Sequence, residues 1–127
     1  MNKVILTGRL TKDPQTRSTQ SGIQVTTFTL AVDRRHVKKD SGQPTADFIP
    51  VVCWRKLAEI CANNLTKGRQ VGIEGAMQVR TYDGDDGKKR YVTEVIADEV
   101  EFLGRKQDGG NNAPYDAPEI ADEMVPF

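Results

Sequence analysis

Residues 46–68 read ADFIPVVCWRKLAEICANNLTKG, and the spacing of their apolar side chains changes half-way. As far as Trp54, apolar and β-branched residues dominate, which is typical of a strand. Beyond it, apolar residues recur at helical spacing, at Leu57, Ala58, Ile60, Cys61 and Leu65. Gly68 stands where a left-handed residue often ends a helix. The stretch therefore predicts a strand that runs straight into a helix.

Four other segments alternate with a period of two, which is the side-chain period of a strand. They are residues 4–6, 23–33, 70–80 and 90–103. Together with 46–54 they make five strands, with one helix between the third and the fourth, which is the order of the OB fold. The predicted fold class is all-β: a five-stranded, partly open OB-fold barrel with one helix between strands 3 and 4.

The chain of 127 residues has room for one domain and a tail. Residues 1–106 hold all 18 Lys and Arg against 13 Asp and Glu, a net charge of +5, whereas the last 21 residues carry five acids and no base. A basic body with an acidic tail is typical of proteins that meet a polyanion. We expect an OB-fold domain at 1–104 and a disordered linker with an acidic tip at 105–127.

The sequence favours a protein of a reducing cytoplasm. Its longest early apolar run, at residues 4–6, is too short for a signal peptide or a membrane span. Cys53 and Cys61 are too few for a disulfide framework, and their spacing without neighbouring histidines matches no common zinc pattern.

Alternation within the strands predicts which side chains face outward. In 46–54, Ile49, Val51 and Cys53 suit a core, which places Phe48 and Trp54 on the opposite face, roughly 20 Å apart. In 70–82 the odd positions are expected to look inward and to leave Arg80 and Tyr82 outside. The inward set is Val71, Ile73, Gly75, Met77 and Val79.

Aromatic residues of a β protein more often belong to the core than to a ligand site, and we assign Phe28 and Phe102 to the core. For Phe48, Trp54 and Tyr82, the pattern leaves the core and a binding face about equally open. Cations lie beside them, because Arg55 and Lys56 follow Trp54 and Arg80 precedes Tyr82. Aromatic rings alternating with basic side chains are what sequence-tolerant binding of unpaired nucleic acid requires.

The only histidine, His36, lies among bases beyond the second strand. These bases are Arg34, Arg35, Lys38 and Lys39. The segment is either a solvated loop or a mobile flap that closes on backbone phosphates.

Two other function classes have weaker support in the sequence. Asp83, Asp85 and Glu94 match three ligand positions of a calcium loop, but Gly87 and Lys88 stand where a ligand and a glycine are needed, so a hairpin tip is favoured. No nucleophile, phosphate-binding or metal motif supports catalysis. The alternatives to nucleic-acid binding are a pure interaction adaptor and a metal-dependent nuclease.

Four segments carry a resemblance to a known family: NKVILTGRLTKDPQTR (2–17), TFTLAVDRR (27–35), DFIPVVCWRKLAEICANNLTKG (47–68) and IEGAMQVRTYDGDDGKKRYVTEVIADEVEFL (73–103). They resemble bacterial single-stranded DNA-binding proteins over nearly all of residues 1–104. The resemblance implies a non-enzymatic, cytoplasmic, nucleoid-associated homotetramer of OB folds that coats single-stranded DNA without sequence preference. It further implies roles in DNA replication, recombination and repair through recruited proteins, and no cofactor.

The resemblance also assigns residues to roles. Phe48, Trp54 and Tyr82 match the stacking positions, and His36 falls where some members have a stacking tryptophan. The phosphate-contacting bases match Lys3, Arg9, Arg34, Lys56, Lys67 and Arg80, to which the charge pattern adds Arg35 and Arg55.

The chain ends in ADEMVPF, and an acidic tip closing on Pro-Phe resembles the family's partner-docking tail. Asp122, Glu123, Pro126 and Phe127 match it, with acids that steer and a terminal ring that fills a partner's pocket. Met124 departs from the pattern, since the family often has another acid there.

Overall fold

The computed structural model describes residues 1–38 and 40–104, which form six strands and one helix. In chain order these are β1 (Val4–Leu10), β2 (Gln15–Ser18), β3 (Gln24–Asp33), β4 (Ala46–Trp54), α1 (Arg55–Asn64), β5 (Gln70–Asp83) and β6 (Lys89–Phe102). The helix lies between β4 and β5, so the strand that ends at Trp54 leads directly into it.

Five of the strands close into a ring in the order β1-β5-β6-β4-β3, and β2 pairs with β3 outside it. Neighbours in the ring are antiparallel except for β4 and β6, which pair in parallel at Val51↔Val95 and Val52↔Ile96. The ring closes where Arg9 and Leu10 of β1 reach β3. One continuous sheet therefore surrounds a single core.

The core is made of aliphatic and thiol side chains from every strand of the ring and from the helix. Its fully buried members include Leu10, Leu30, Val51, Cys53, Ala58, Cys61, Val71 and Ile73. Burying a side chain of valine or leucine size contributes about 1.5–3 kcal/mol. Phe28 is also buried and Phe102 packs partly buried against this cluster, so both lie with the core as predicted.

The helix is tied to the sheet by a buried hydrogen bond, in which the Thr26 hydroxyl donates to the Ala58 carbonyl at 2.7 Å. It ends earlier than predicted, because Leu65 already has extended backbone angles. Gly68 does adopt the left-handed region, with φ of 86°. Its N–H donates to the Leu10 carbonyl instead of capping the helix.

The sixth strand, β2, was not predicted. Its sequence, QTRS, contains no apolar residue, and all four side chains are exposed. Because alternation of apolar and polar residues is the signal of a half-buried strand, a short polar edge strand gives none. It forms through its backbone pairing with residues 24–27 of β3.

Met77 and Val79 lie on the inward side of β5 as predicted, but neither is buried. Met77 pairs with Val95 and Val79 with Thr93, and the two side chains are 50% and 57% exposed. In this part of the sheet β5 and β6 form a long hairpin, and side chains on its inner side have less of the ring to pack against. The residues between the two strands, 84–88, form the hairpin tip as expected.

Strand β6 contains an irregularity at Asp98. Gly75 of β5 pairs with Ala97 and the preceding Glu74 pairs with Glu99, so the pairing skips Asp98. Such a bulge bends a strand and increases its twist. It also changes the inward positions of β6, from Val95 and Ala97 before it to even-numbered residues after it.

Candidate nucleic-acid interface

One face of the sheet carries the predicted stacking residues. Val52 of β4 and Ala76 of β5 both pair with Ile96 of β6, so alternate residues from these positions point to the same side. We call this side the outer face; it comprises Phe48, Pro50, Val52, Trp54, Ala76, Gln78, Arg80, Tyr82, Arg90, Val92, Glu94 and Ile96. The register therefore places Phe48, Trp54, Tyr82 and Arg80 on a common surface.

Trp54 lies at the junction of β4 and α1 and is 43% exposed. It is the residue that precedes the helix, with extended backbone angles of −118° and 149°. The next residue, Arg55, has φ of 61°, in the left-handed region that favours glycine. This bend turns the chain from strand to helix immediately beyond the indole.

Phe48 is half-buried in an open groove of about 580 Å³. The groove is lined by apolar side chains of β1, β4 and β5 and by a few charged ones from β3–β4 and β6. Its lining includes Val4, Leu6, Arg34, Pro44, Asp47, Pro50, Met77 and Glu94. The groove therefore lies where Phe48, on the outer face, borders inward side chains such as Met77, with charged residues at its edge.

Tyr82 lies near the end of the hairpin and is 46% exposed. It stands opposite Arg90 across the two strands. The Arg90 guanidinium in turn donates to an Asp86 carboxylate oxygen at 3.2 Å. A ring and a cation thus lie side by side on the outer face.

Arg34 forms an ion pair with Asp47. Its Nε and Nη2 atoms both donate to Oδ1 of Asp47, at 3.0 and 2.7 Å. The hydrogen bond from Arg34 holds the pKa of the Asp47 carboxyl below its ordinary value. Two of the five N–H donors of this guanidinium are therefore engaged by a carboxylate.

Arg80 also has a carboxylate partner, because its Nε donates to Oε1 of Glu94 at 3.0 Å. Glu94 is buried although it belongs to the outer face. A guanidinium has five N–H donors, and this bond uses only the one on Nε. The pair therefore fixes the direction of Arg80 while other donors of the group remain on its exposed side.

Lys3 pairs with Glu74, and Asp98 and Glu99 add to the negative charge around it. The hydrogen bond to Glu74 is the main cause that raises the pKa of Lys3, and the same bond lowers the pKa of Glu74. Of the predicted phosphate contacts, this one has the most acidic surroundings.

The remaining predicted residues are spread over the surface. Arg9 is half-buried and donates from Nη1 to the Gly68 carbonyl at 3.1 Å. The exposed ones lie after β3, at the start of α1 and before β5: Arg35, His36, Arg55, Lys56 and Lys67. Lys39, Asp122, Glu123, Pro126 and Phe127 lie outside the described residues.

Two charged residues were not predicted to belong to the site, namely Asp47 and Glu94. The strand pattern contained a signal for the first, because the antiparallel β3–β4 register brings Asp33 opposite Ala46 and so brings Arg34 close to Asp47. Glu94 gave no such signal, since its burial depends on how the hairpin packs.

Within residues 1–38 and 40–104, no group of three or more His, Cys, Asp or Glu could hold a metal ion. In the same part of the chain, no helix has the length and apolar character needed to cross a membrane.

Comparison with known proteins identifies the family. A sequence model of the single-strand binding protein family matches residues 1–103. The chain belongs to the single-strand binding protein family. The five-stranded ring with a helix between β4 and β5 is therefore the OB fold that the element order predicted.

Relatives of this single-strand binding family member are closely similar in sequence. A single-stranded DNA-binding protein of Caldanaerobacter subterraneus is 54% identical over 98% of this chain and 83% of its own length. One from Clostridium tetani is 56% identical over 87% of this chain and 77% of its own. Single-stranded DNA-binding protein 2 of Clostridium acetobutylicum is 48% identical over 99% of this chain and 94% of its own.

Proposed function

We propose that this protein binds single-stranded DNA without sequence preference. Nucleobases would stack on exposed aromatic rings, and phosphates would pair with basic side chains of the same surface. The observation that carries the proposal is the outer face, on which Trp54 and Tyr82 are 43% and 46% exposed and Arg80 and Arg90 lie next to Tyr82. Duplex DNA hides the faces of its bases, so exposed rings favour an unpaired strand. Membership of the single-strand binding family supports the same conclusion.

The aromatic rings and the basic side chains contribute to DNA binding in different ways. Each stacked base is worth about 1–3 kcal/mol and does not depend on base identity, because every base has a flat face. Cations supply the attraction to phosphate, which weakens as salt rises. Phe48, at the groove, and Trp54 are roughly 20 Å apart along β4, so they would hold different nucleotides of one strand.

Two tyrosines of the hairpin give a matched test. Tyr82 belongs to the outer face, whereas Tyr91 is 70% exposed on the opposite side of the hairpin, paired with Thr81. We expect Tyr82→Ala to weaken binding to oligo-dT roughly 5- to 150-fold, and Tyr91→Ala to leave it unchanged. Quenching of Trp54 fluorescence reports the binding. Equal losses for both variants, or equal affinity for duplex DNA at the same salt, would contradict the proposal.

We further propose that the molecule is a homotetramer. In the described part of the chain, β1 pairs with β5 along residues 4–9 but with β3 only at Arg9 and Leu10, which leaves most of its second edge open. Ile5 on this strand is 74% exposed. An open edge and an exposed apolar side chain favour self-association. A solution mass of one chain would contradict this part of the proposal.

The proposed setting is DNA replication, recombination and repair in the bacterial cytoplasm, close to the nucleoid. Residues 1–104 would bind DNA and 105–127 would carry the tip that docks partners, through Asp122, Glu123, Pro126 and Phe127.

Deleting 122–127 should leave oligo-dT affinity unchanged or tighten it, since the tip is acidic. Loss of DNA binding on this deletion would favour a pure adaptor. Magnesium-dependent cleavage of labelled single strands would favour a nuclease.

A further inference from the structure

Cys53 and Cys61 lie side by side in the core, with their sulfur atoms 3.7 Å apart. Both side chains have no exposed area. They come from different elements, Cys53 from β4 and Cys61 from α1, and they are the only cysteines of the chain. A single buried cysteine usually acts as a small apolar side chain. Two thiols in contact can also react with each other.

A bond requires the two sulfur atoms to move closer together. A disulfide has its sulfur atoms about 2.0 Å apart, so the two atoms must approach by roughly 1.7 Å. That movement would draw α1 towards β4. The hydrogen bond from Thr26 to the Ala58 carbonyl already holds the middle of the helix against the sheet.

The helix that carries Cys61 has weakly stabilised ends, although the Leu65 N–H donates to the Cys61 carbonyl and the Asn64 amide donates to the Ile60 carbonyl. Trp54, at its N-terminal cap, makes no side-chain capping bond, the first turn has no acid and the last turn has no base. It also begins with Arg55 in the left-handed region. A short helix without these features opens locally more readily than the strands around it, which gives a small oxidant a way to Cys61.

We propose that Cys53 and Cys61 form a reversible intrachain disulfide when the protein meets a small peroxide, and that closure of this bond displaces Trp54. In the first step the Cys61 thiolate attacks a peroxide oxygen, which breaks the O–O bond and releases water after protonation. The sulfenic acid formed is then attacked by the Cys53 sulfur, which makes the S–S bond and releases a second water. Two thiols are oxidised and one hydrogen peroxide is reduced.

The contact between the sulfurs supports this order of attack. A Cys61 thiolate accepts a hydrogen bond from the Cys53 thiol, which lowers the pKa of Cys61 and raises that of Cys53. Cys61 is therefore the first nucleophile and Cys53 the resolving one.

The consequence for Trp54 follows from its position. It comes directly after Cys53 and directly before α1, so a helix drawn onto β4 must move this junction and the bases that follow, Arg55 and Lys56. We expect the oxidised protein to bind oligo-dT several-fold more weakly. This consequence rests on the proposed function, whereas formation of the disulfide does not.

The experiment treats the full chain with a small excess of hydrogen peroxide and counts free thiols after unfolding in guanidinium. The count should fall from two to none, with a chain mass lower by two hydrogen atoms and no crosslinked chains, and dithiothreitol should restore both thiols. Two persisting thiols, products that dithiothreitol does not reverse, or crosslinks between chains would each overturn the proposal.

A Cys61→Ala variant is the matched control, because Cys53 alone should keep its thiol under the same treatment. Trp54 emission and oligo-dT affinity are then measured in the reduced and oxidised wild type. A disulfide with unchanged affinity overturns the link to binding alone. Should the reduced protein fail to bind oligo-dT, the proposed function fails, and the thiol count still decides whether the disulfide forms.

Discussion

Arg34 and Asp47 form an ion pair in which two guanidinium nitrogens share one carboxylate oxygen. A phosphate that binds Arg34 through these two nitrogens has to displace this carboxylate. Because the pKa of Asp47 is lowered, its carboxylate stays ionised at neutral pH and competes with a phosphate for Arg34. Protonation of Asp47 would release Arg34 only when the pH falls below that lowered pKa. The pair therefore weakens any contribution of Arg34 to DNA binding.

Replacing Asp47 tests this competition. We expect Asp47→Asn to tighten oligo-dT binding and to steepen the slope of log affinity against log salt by about 0.7, which corresponds to one more phosphate contact on a single strand. Titrations at several salt concentrations measure both effects. Asp33→Asn, which removes the same charge at the end of β3, is the control. Identical slopes for the two variants would show that Asp47 does not restrain Arg34.

Arg55 gives a prediction about stability. Its φ of 61° costs a residue with a side chain about 1–2 kcal/mol, whereas glycine adopts it freely. Inside an ordinary helix the preference is the reverse, since glycine is about 1 kcal/mol worse than alanine. We therefore expect Arg55→Gly to be more stable than Arg55→Ala by about 1 kcal/mol. Urea unfolding at one protein concentration measures it.

Both Arg55 variants remove the same charge, so their DNA affinities should fall by similar amounts if Arg55 contacts phosphate. Greater stability of Arg55→Ala would mean that the backbone at this position is not strained. Binding equal to wild type in both would remove Arg55 from the phosphate contacts.

Closure of the ring depends on two strands that approach closely at Gly8. A Cβ atom built on Gly8 would lie 2.3 Å from the Ala31 carbonyl oxygen, whereas one on Gly72 would meet only ordinary contacts, the nearest at 3.6 Å. We expect Gly8→Ala to lower the free energy of unfolding by more than about 2 kcal/mol and Gly72→Ala to change it by less than about 1 kcal/mol. Thermal or urea unfolding compares them. Similar stabilities would mean that β1 can move away from β3 at no cost.

At the scale of strands, the sequence predicted what alternation controls and missed what packing controls. Trp54 and Tyr82 could be placed on the outer face because the period of two holds wherever a strand is regular. Met77 and Val79 were assigned to the correct side, but their exposure was not predicted, since it depends on where the hairpin leaves the ring. The strand β2 was not predicted because none of its residues is apolar, so it shows no alternation of apolar and polar side chains.

The charged contacts of the site were less predictable than its rings. Arg80 and Glu94 are fourteen positions apart and meet only because the β5–β6 register brings Glu94 opposite Gln78, two residues from Arg80 on the same face of β5. The separation of the two residues in the sequence does not predict that register. A base identified as a candidate phosphate contact can therefore prove to have a carboxylate partner, as Lys3 and Arg34 also do.

For the molecule as a whole, self-association through β1 is tested by Ile5→Lys. Ile5 is exposed and stands opposite an acid, Glu74, which already pairs with Lys3, so a lysine at this position removes no core contact and the chain should still fold. We expect the solution mass to fall below that of a tetramer, since an apolar side chain that is 74% exposed is replaced by a charge. Gln15→Lys, on the exposed strand β2, is the control. A tetramer that survives in Ile5→Lys would place the subunit contact elsewhere.

The bulge at Asp98 bears on which changes in chain length the family can tolerate. Asp98 and Glu99 are both exposed, and the strand resumes with Val100 towards the core. A codon deletion at Asp98 would leave every later side chain on its present side, at the cost of the local bend. Deletion of Ile96 would instead move the side chains that follow it to the opposite face of the sheet. Homologues that differ in length within this strand should therefore differ at the bulge, where loss of one residue removes only the local bend of the strand.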